Sequence, residues 1–169
     1  GGEEGKGFAF AMQSLDNGRL SVGSAAAGYA RRALDSALRY ANERKAFGEP
    51  IANFQLIQQM LADSAIEINA ARWMVLHAAW LSDLGESHAA AARDAIAMVK
   101  VQASETLGRV VDRAVQIFGG MGYCKDLAIE RYYRDARIYR IFDGTSEIHR
   151  GVIARSLGKR GAAVFDLNR

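Results

Sequence analysis

The chain of 169 residues contains one cysteine and one proline. The single Cys124 excludes an internal disulfide and any cysteine-based zinc site, and it fits a reducing compartment. With Pro50 the only proline, long helices can run without interruption. No apolar run approaches the ~20 residues of a membrane span, and no signal peptide is visible. Basic blocks are also missing: the net charge is +3 with a pI near 9.2, and acidic and basic residues are interspersed. That pattern argues against a nucleic-acid partner. His77, His88 and His149 share no metal-ligand spacing. No segment alternates polar and apolar residues with period two, and no internal repeat is present. The domain is therefore expected to be all-α.

What is present is helical periodicity. The glycine-rich, charged residues 1–7 read as a loop or linker arriving from elsewhere. A short helix over Phe8–Leu15 is expected, then a turn at Asp16-Asn17-Gly18. From Arg19, small apolar residues (Gly23, Ala27, Ala30, Ala37, Ala41) recur at helical spacing as far as Asn42–Lys45, opposite Arg31, Arg32, Asp35 and Arg39. Phe47–Pro50 makes a turn. A second helix is predicted from an Asn53 N-cap to Leu84, closed by Gly85, and a third from Ser87 to Phe118. Short loops make such helices antiparallel neighbours. Gly119-Gly120-Met121-Gly122 should end the third helix. A short helix over Leu127–Tyr133 precedes a last one opened by Gly144 or Thr145, burying Ile148, Val152, Ile153 and Leu157 and ending at Gly158 or Gly161. Trp73, Trp80 and the methionines are expected to pack.

Four groups could carry chemistry, and each has a plain structural alternative. Asp143 follows an apolar run, on a glycine turn before a helix. A carboxylate placed there is either a helix cap or a working base, although Thr145 already offers a capping hydroxyl. Gln116–Tyr123, with three glycines, would let backbone amides approach a phosphate, or would simply cap a helix. Arg44, beside Phe47, could grip an anionic cofactor or complement a helix dipole. Asp16–Arg19 could be a solvated turn. Cys124 has no base in reach and reads as inert.

Together these segments resemble the C-terminal domain of acyl-CoA dehydrogenases. The resemblance implies an up-down four-helix bundle with short extra helices over residues 8–160, entered from a missing upstream domain through the linker 1–7 and followed by a tail at 161–169. The likeness covers nearly the whole chain and rests on five ordered motifs: LDNGR at 15–19, ERKAFG at 43–48, QIFGGMGY at 116–123, YRDARI at 133–138 and FDGTSEIHR at 142–150. It implies a flavoenzyme, with FAD as cofactor, that removes the α-proton of an acyl-CoA thioester with a carboxylate base as the β-hydrogen leaves as hydride to flavin N5. Most members carry glutamate where this chain has Asp143, one methylene longer, or about 1.5 Å of reach. Misplacement on that scale can cost ~10²-fold in rate. Other members take the base from the first long helix, at the position of Gly18, which has no carboxylate here. Asp143 is thereby the candidate base.

The resemblance further implies that Arg44, Phe47 and Gln55 contact the FAD of an adjacent subunit, that Gln116, Gly119 and Gly120 cradle its adenosine diphosphate, and that Thr145 and Glu147 touch cofactor. Asp16, Arg19, Phe142 and Gly144 match substrate-side positions. Implied partners are an acyl-CoA substrate, an electron-transfer flavoprotein or similar acceptor, and further copies of the chain in a tetramer or dimer. The implied location is the cytoplasm, or the mitochondrial matrix in a eukaryote. An isolated domain of this kind would neither hold FAD nor turn over substrate. Two other readings are a nitroalkane-oxidase-like enzyme on the same scaffold, which also uses aspartate, and a non-catalytic helical assembly domain.

Overall fold

The computed structural model describes residues 2–165. Residue 1 of the expected linker and residues 166–169 of the expected tail lie outside the described residues. Four long helices dominate: α1 (Gly7–Glu43), α2 (Gln55–Asp83), α3 (Ala89–Phe118) and α6 (Ser146–Arg160). Between the last two lie a helical turn α4 (Gly120–Tyr123) and a short α5 (Ile129–Ala136).

Side-chain pairs give the directions. Gly23 meets Val99, and Tyr40 stacks on Phe118 with ring centroids 4.2 Å apart, so α1 and α3 run parallel. Arg109 and Arg113 on α3 both reach Glu67 on α2, which the Gly85 connection turns back antiparallel. Arg150 pairs with Glu105 while Arg160 pairs with Asp94, so α6 descends along α3. The result is the up-down-up-down bundle the sequence predicts, with α3 packed against each of the other three.

Small side chains let α1 approach closely. Ala26, Ala30, Ala33, Ala37 and Ala41 are at most 1% exposed. A Cβ on Gly23 would overlap Val99 Cγ1. Alanine there would overpack the seam, which typically costs about 1–3 kcal/mol.

The structure corrects several expectations. Asp16-Asn17-Gly18 is not a turn, because α1 runs straight through it from Gly7. Arg19 pairs with Asp16 one turn earlier at 2.8 Å, and packing on α3 outweighs three weak helix formers. Asn53 does not cap α2. Its amide donates to Glu49 Oε2 at 2.7 Å, and Phe54 takes the cap position. Beside the predicted turn, Lys45–Ala46 (β1) pairs with Glu49–Pro50 (β2) in a minimal hairpin. The glycine run after α3 continues as α4 rather than as open loop. Leu127 precedes α5, and α6 passes Gly158 and stops at Gly161, φ +55°.

Two expectations on burial also fail. Ile148 and Leu157 are 59% and 40% exposed, whereas Ser146 and His149 are buried. The inward stripe of α6 is Ser146, His149, Ile153, Ser156 and Arg160, and it faces the buried polar residues Asp94 and Lys100 of α3. Polar α3 positions thus select the polar side of α6. Trp73 and Trp80 lie exposed on the outer side of α2, whose buried residues are Ser64, Ile68, Ala71, Ala78 and Leu81. Met121 is exposed as well.

Candidate active site

The segment preceding α6 adopts a left-handed turn. Asp143 has φ +53° and Gly144 φ +94°. A left-handed non-glycine residue costs roughly 1–2 kcal/mol and persists where its surroundings hold it. Gly144 is needed on two counts, its positive φ and the 3.0 Å that would separate an added Cβ from His149 Nε2.

Thr145 caps the helix. Its Oγ1 accepts from the Ile148 backbone N–H at 3.3 Å. The Glu147 carboxyl is held below the usual range by its own backbone N–H and by the neighbouring Thr145 hydroxyl. Among the described residues the Asp143 carboxylate accepts no hydrogen bond from α6; instead Oδ2 lies against Gly18 of α1. Arg19, on the next position of α1, donates from Nε to the Asp143 carbonyl at 3.2 Å and from Nη1 to Asp16 at 2.8 Å. Asp16, Arg19, Asp143, Gly144, Thr145 and Glu147 therefore belong to one constellation. Phe142 borders it, edge-on to Tyr139 at 5.1 Å, beside an open groove of about 730 Å³.

Two residues of this constellation carry no sequence prediction. Lys100 is fully buried and donates from Nζ to the Gly144 carbonyl at 2.5 Å. His149 is 2% exposed with Nε2 3.2 Å from the Asp143 carbonyl. A carbonyl only accepts, so Nε2 carries the proton and the buried Nδ1 is left without a partner. Burial pushes both Lys100 and His149 below their usual ranges. Asp143 opposes the shift at Lys100 through its charge and at His149 through its carbonyl. The signal for Lys100 was available: one lysine within the otherwise apolar run 95–101, in helical register with Ile96, Ala103 and Leu107.

The remaining predicted residues gather elsewhere. Arg44 ends α1, Phe47 (φ +54°) is 97% exposed and edge-on to Phe54, and Gln55 opens α2. Gln116, Gly119 and Gly120 lie at the end of α3, which the Tyr40–Phe118 stack ties to the end of α1. Arg19 and Arg44 are 25 positions apart on or at the end of one helix, or about 37 Å at 1.5 Å per residue. The two groups are separate, one beside the interior of α1 at Asp16–Arg19 and the other at its C-terminal end. The distal group fits an anionic nucleotide. The Arg44, Gln55 and Gln116 side chains are exposed and make no hydrogen bond or ion pair among the described residues. A Cβ at Gly119 or Gly120 would meet nothing within 4 Å, so the backbone there is open to approach.

The fold is thus an all-α bundle that carries a carboxylate freed from capping beside the first half of α1 and an open, cationic, glycine-lined edge at the end of that helix. Residues 5–158 match the family model for the acyl-CoA dehydrogenase C-terminal domain, and the chain belongs to that family. It is 49% identical over 159 residues to acryloyl-CoA reductase (NADH) of Anaerotignum propionicum, covering 94% of this chain and 39% of that protein. It is 46% identical over 159 residues to the caffeyl-CoA reductase–Etf complex subunit CarC of Acetobacterium woodii, covering 94% and 41%. The solved butyryl-CoA dehydrogenase of Megasphaera elsdenii superposes with a TM-score of 0.86 at 42% identity, over 92% of this chain and 40% of that one. The chain thus spans about two-fifths of the length of these relatives. No helix among the described residues is long and apolar enough to cross a membrane.

Proposed function

We propose that the chain serves as the C-terminal domain of a flavin-dependent acyl-CoA dehydrogenase in which Asp143 is the base. The observation that carries this reading is the division of labour at the start of α6. Thr145 caps the helix, and the Asp143 carboxylate is left to face α1 across Gly18.

In the reaction, an Asp143 oxygen takes the α-proton of the thioester, and the α C–H electron pair becomes the new C=C bond as hydrogen leaves the β-carbon with its own pair. FAD, when bound, supplies the acceptor for that pair. Arg19 and Asp16 anchor the turn to α1, while Phe142 and Gly144 border the thioester. Thr145 and Glu147 touch the same cofactor. Arg44, Phe47, Gln55, Gln116, Gly119 and Gly120 hold the diphosphate and adenosine of another subunit's FAD. The ~37 Å between the two sites supports that assignment, since one arrangement of residues serves two different flavins. The working form is then a tetramer or a dimer. CarC is named as part of an Etf complex, which supports an electron-transfer flavoprotein, or a similar acceptor, as the redox partner. The cytoplasm, or the mitochondrial matrix in a eukaryote, suits that partner.

The test is Asp143→Asn in the full-length, flavin-loaded enzyme. Exchange of the substrate α-proton with solvent deuterium should cease while flavin stays bound. Turnover of butyryl-CoA by the unmodified enzyme, set against nitroethane, tests the substrate class; activity confined to nitroethane would overturn it.

A further inference from the structure

We propose that Lys100 is a positioning residue for proton abstraction: anchored in α3, its ammonium fixes the Gly144 carbonyl and so the direction in which the Asp143 carboxylate leaves the turn. The inference rests on the reading of Asp143 as base.

The turn is expensive to hold, with successive φ values of +53° and +94°. Three donors from three helices hold it. Arg19 of α1 and His149 of α6 donate to the Asp143 carbonyl at 3.2 Å each, and Lys100 of α3 donates to the Gly144 carbonyl at 2.5 Å. The helix start needs none of them, because Thr145 caps it.

Lys100 is the least expected of the three. It is fully buried, and among the described residues it has no carboxylate within 4 Å and no hydrogen bond except that to Gly144. A buried cation with no carboxylate in contact is costly, and an apolar residue of similar volume would usually suit such a site equally well or better. Packing does not account for a lysine here; the single bond to the turn does. Because α3 lies against all the other long helices, the anchor is rigid, as a group placing a base within about 0.5 Å requires.

The experiment uses the full-length, flavin-loaded enzyme and acetyl-CoA in deuterium oxide. Acetyl-CoA has α-protons and no β-carbon, so its exchange reports proton abstraction without dehydrogenation. Lys100→Met, close in length and without a donor, is expected to fold and to keep its flavin and its affinity for acetyl-CoA. Its exchange rate should fall about 10- to 100-fold, and kcat with butyryl-CoA should fall with KM unchanged. Exchange within about twofold of the unmodified enzyme would overturn the proposal. Asp143→Asn, measured alongside, separates the two readings. If it exchanges normally, the base assignment itself fails. If it is silent while Lys100→Met is normal, only the positioning role fails. Should Lys100→Met not fold, Lys100→Gln, one bond too short to reach Gly144, is judged by the same criteria. Failure of both to fold would make Lys100 a structural residue and overturn the proposal.

Discussion

The Asp143 carboxylate rests on the bare backbone of Gly18: Oδ2 lies 2.9 Å from where a Cβ at residue 18 would stand. The residues are 125 positions apart, on the turn before α6 and in the interior of α1. The clearance makes stability and activity separable. In Gly18→Ala the added methyl meets only the end of a flexible side chain, which can move aside. Alanine in a helix interior should raise stability by about 0.5–1 kcal/mol, while the displaced carboxylate lowers α-proton exchange roughly tenfold. Denaturant titration and exchange in the full-length enzyme read the two effects. An unchanged exchange rate would detach Gly18 from the site.

Asp143→Gly should also move the two properties in opposite directions. Its φ of +53° suits glycine, so relief of the left-handed strain should stabilise the domain by about 1 kcal/mol. Exchange should vanish with the carboxylate. A loss of stability instead would mean that Asp143 does cap α6.

Thr145→Ala removes the hydroxyl that accepts from Ile148 and should cost about 1 kcal/mol in urea denaturation. No comparable loss is expected from Ser146→Ala, whose buried hydroxyl has no partner among the described residues.

His149 predicts a pH dependence. Burial holds its folded-state pKa below the ordinary value, with Arg19 and Lys100 acting in the same direction and the Asp143 carbonyl and Asp16 opposing. Between the folded pKa and the unfolded value of about 6.5, the unfolded chain binds more protons, so stability rises with pH across that window. The His149 contribution is complete above the unfolded value and is lost as pH falls toward the folded one. Melting temperatures followed downward from neutral pH should decline, and His149→Gln should flatten that part of the curve. An identical slope in the variant would exclude His149 as its source.

Asp94 ties the far end of α6 to α3. It is 5% exposed and accepts from Ser156 at 2.5 Å and from Arg160 at 2.6 Å. Asp94→Ala leaves both donors unmatched and should cost about 2–4 kcal/mol, or roughly 5–10 °C in melting temperature.

The helices themselves were legible in the sequence, because a small-residue stripe such as Gly23, Ala30, Ala37 and Ala41 repeats at helical spacing whatever its neighbours do. The role of Asp143 was not: the local sequence favoured a helix cap there, and only the folded turn gives the capping bond to Thr145. The failures share one cause. Whether Asp16-Asn17-Gly18 bends or continues a helix depends on the α3 seam beside it, and local propensities of a few tenths of a kcal/mol per residue do not decide that. Which side of α6 turns inward likewise depends on Asp94 and Lys100, residues some fifty positions earlier.

From sequence alone come the helical class, the order of the elements, and the residue types at each end of the bundle, because periodicity and local chemistry are properties of short segments. Only the tertiary structure brings Arg19, Lys100 and His149 from three helices onto two carbonyls, and only it opens the space at Gly18 that the Asp143 carboxylate fills. Contacts between distant positions depend on how helices pack, and no single segment contains that information.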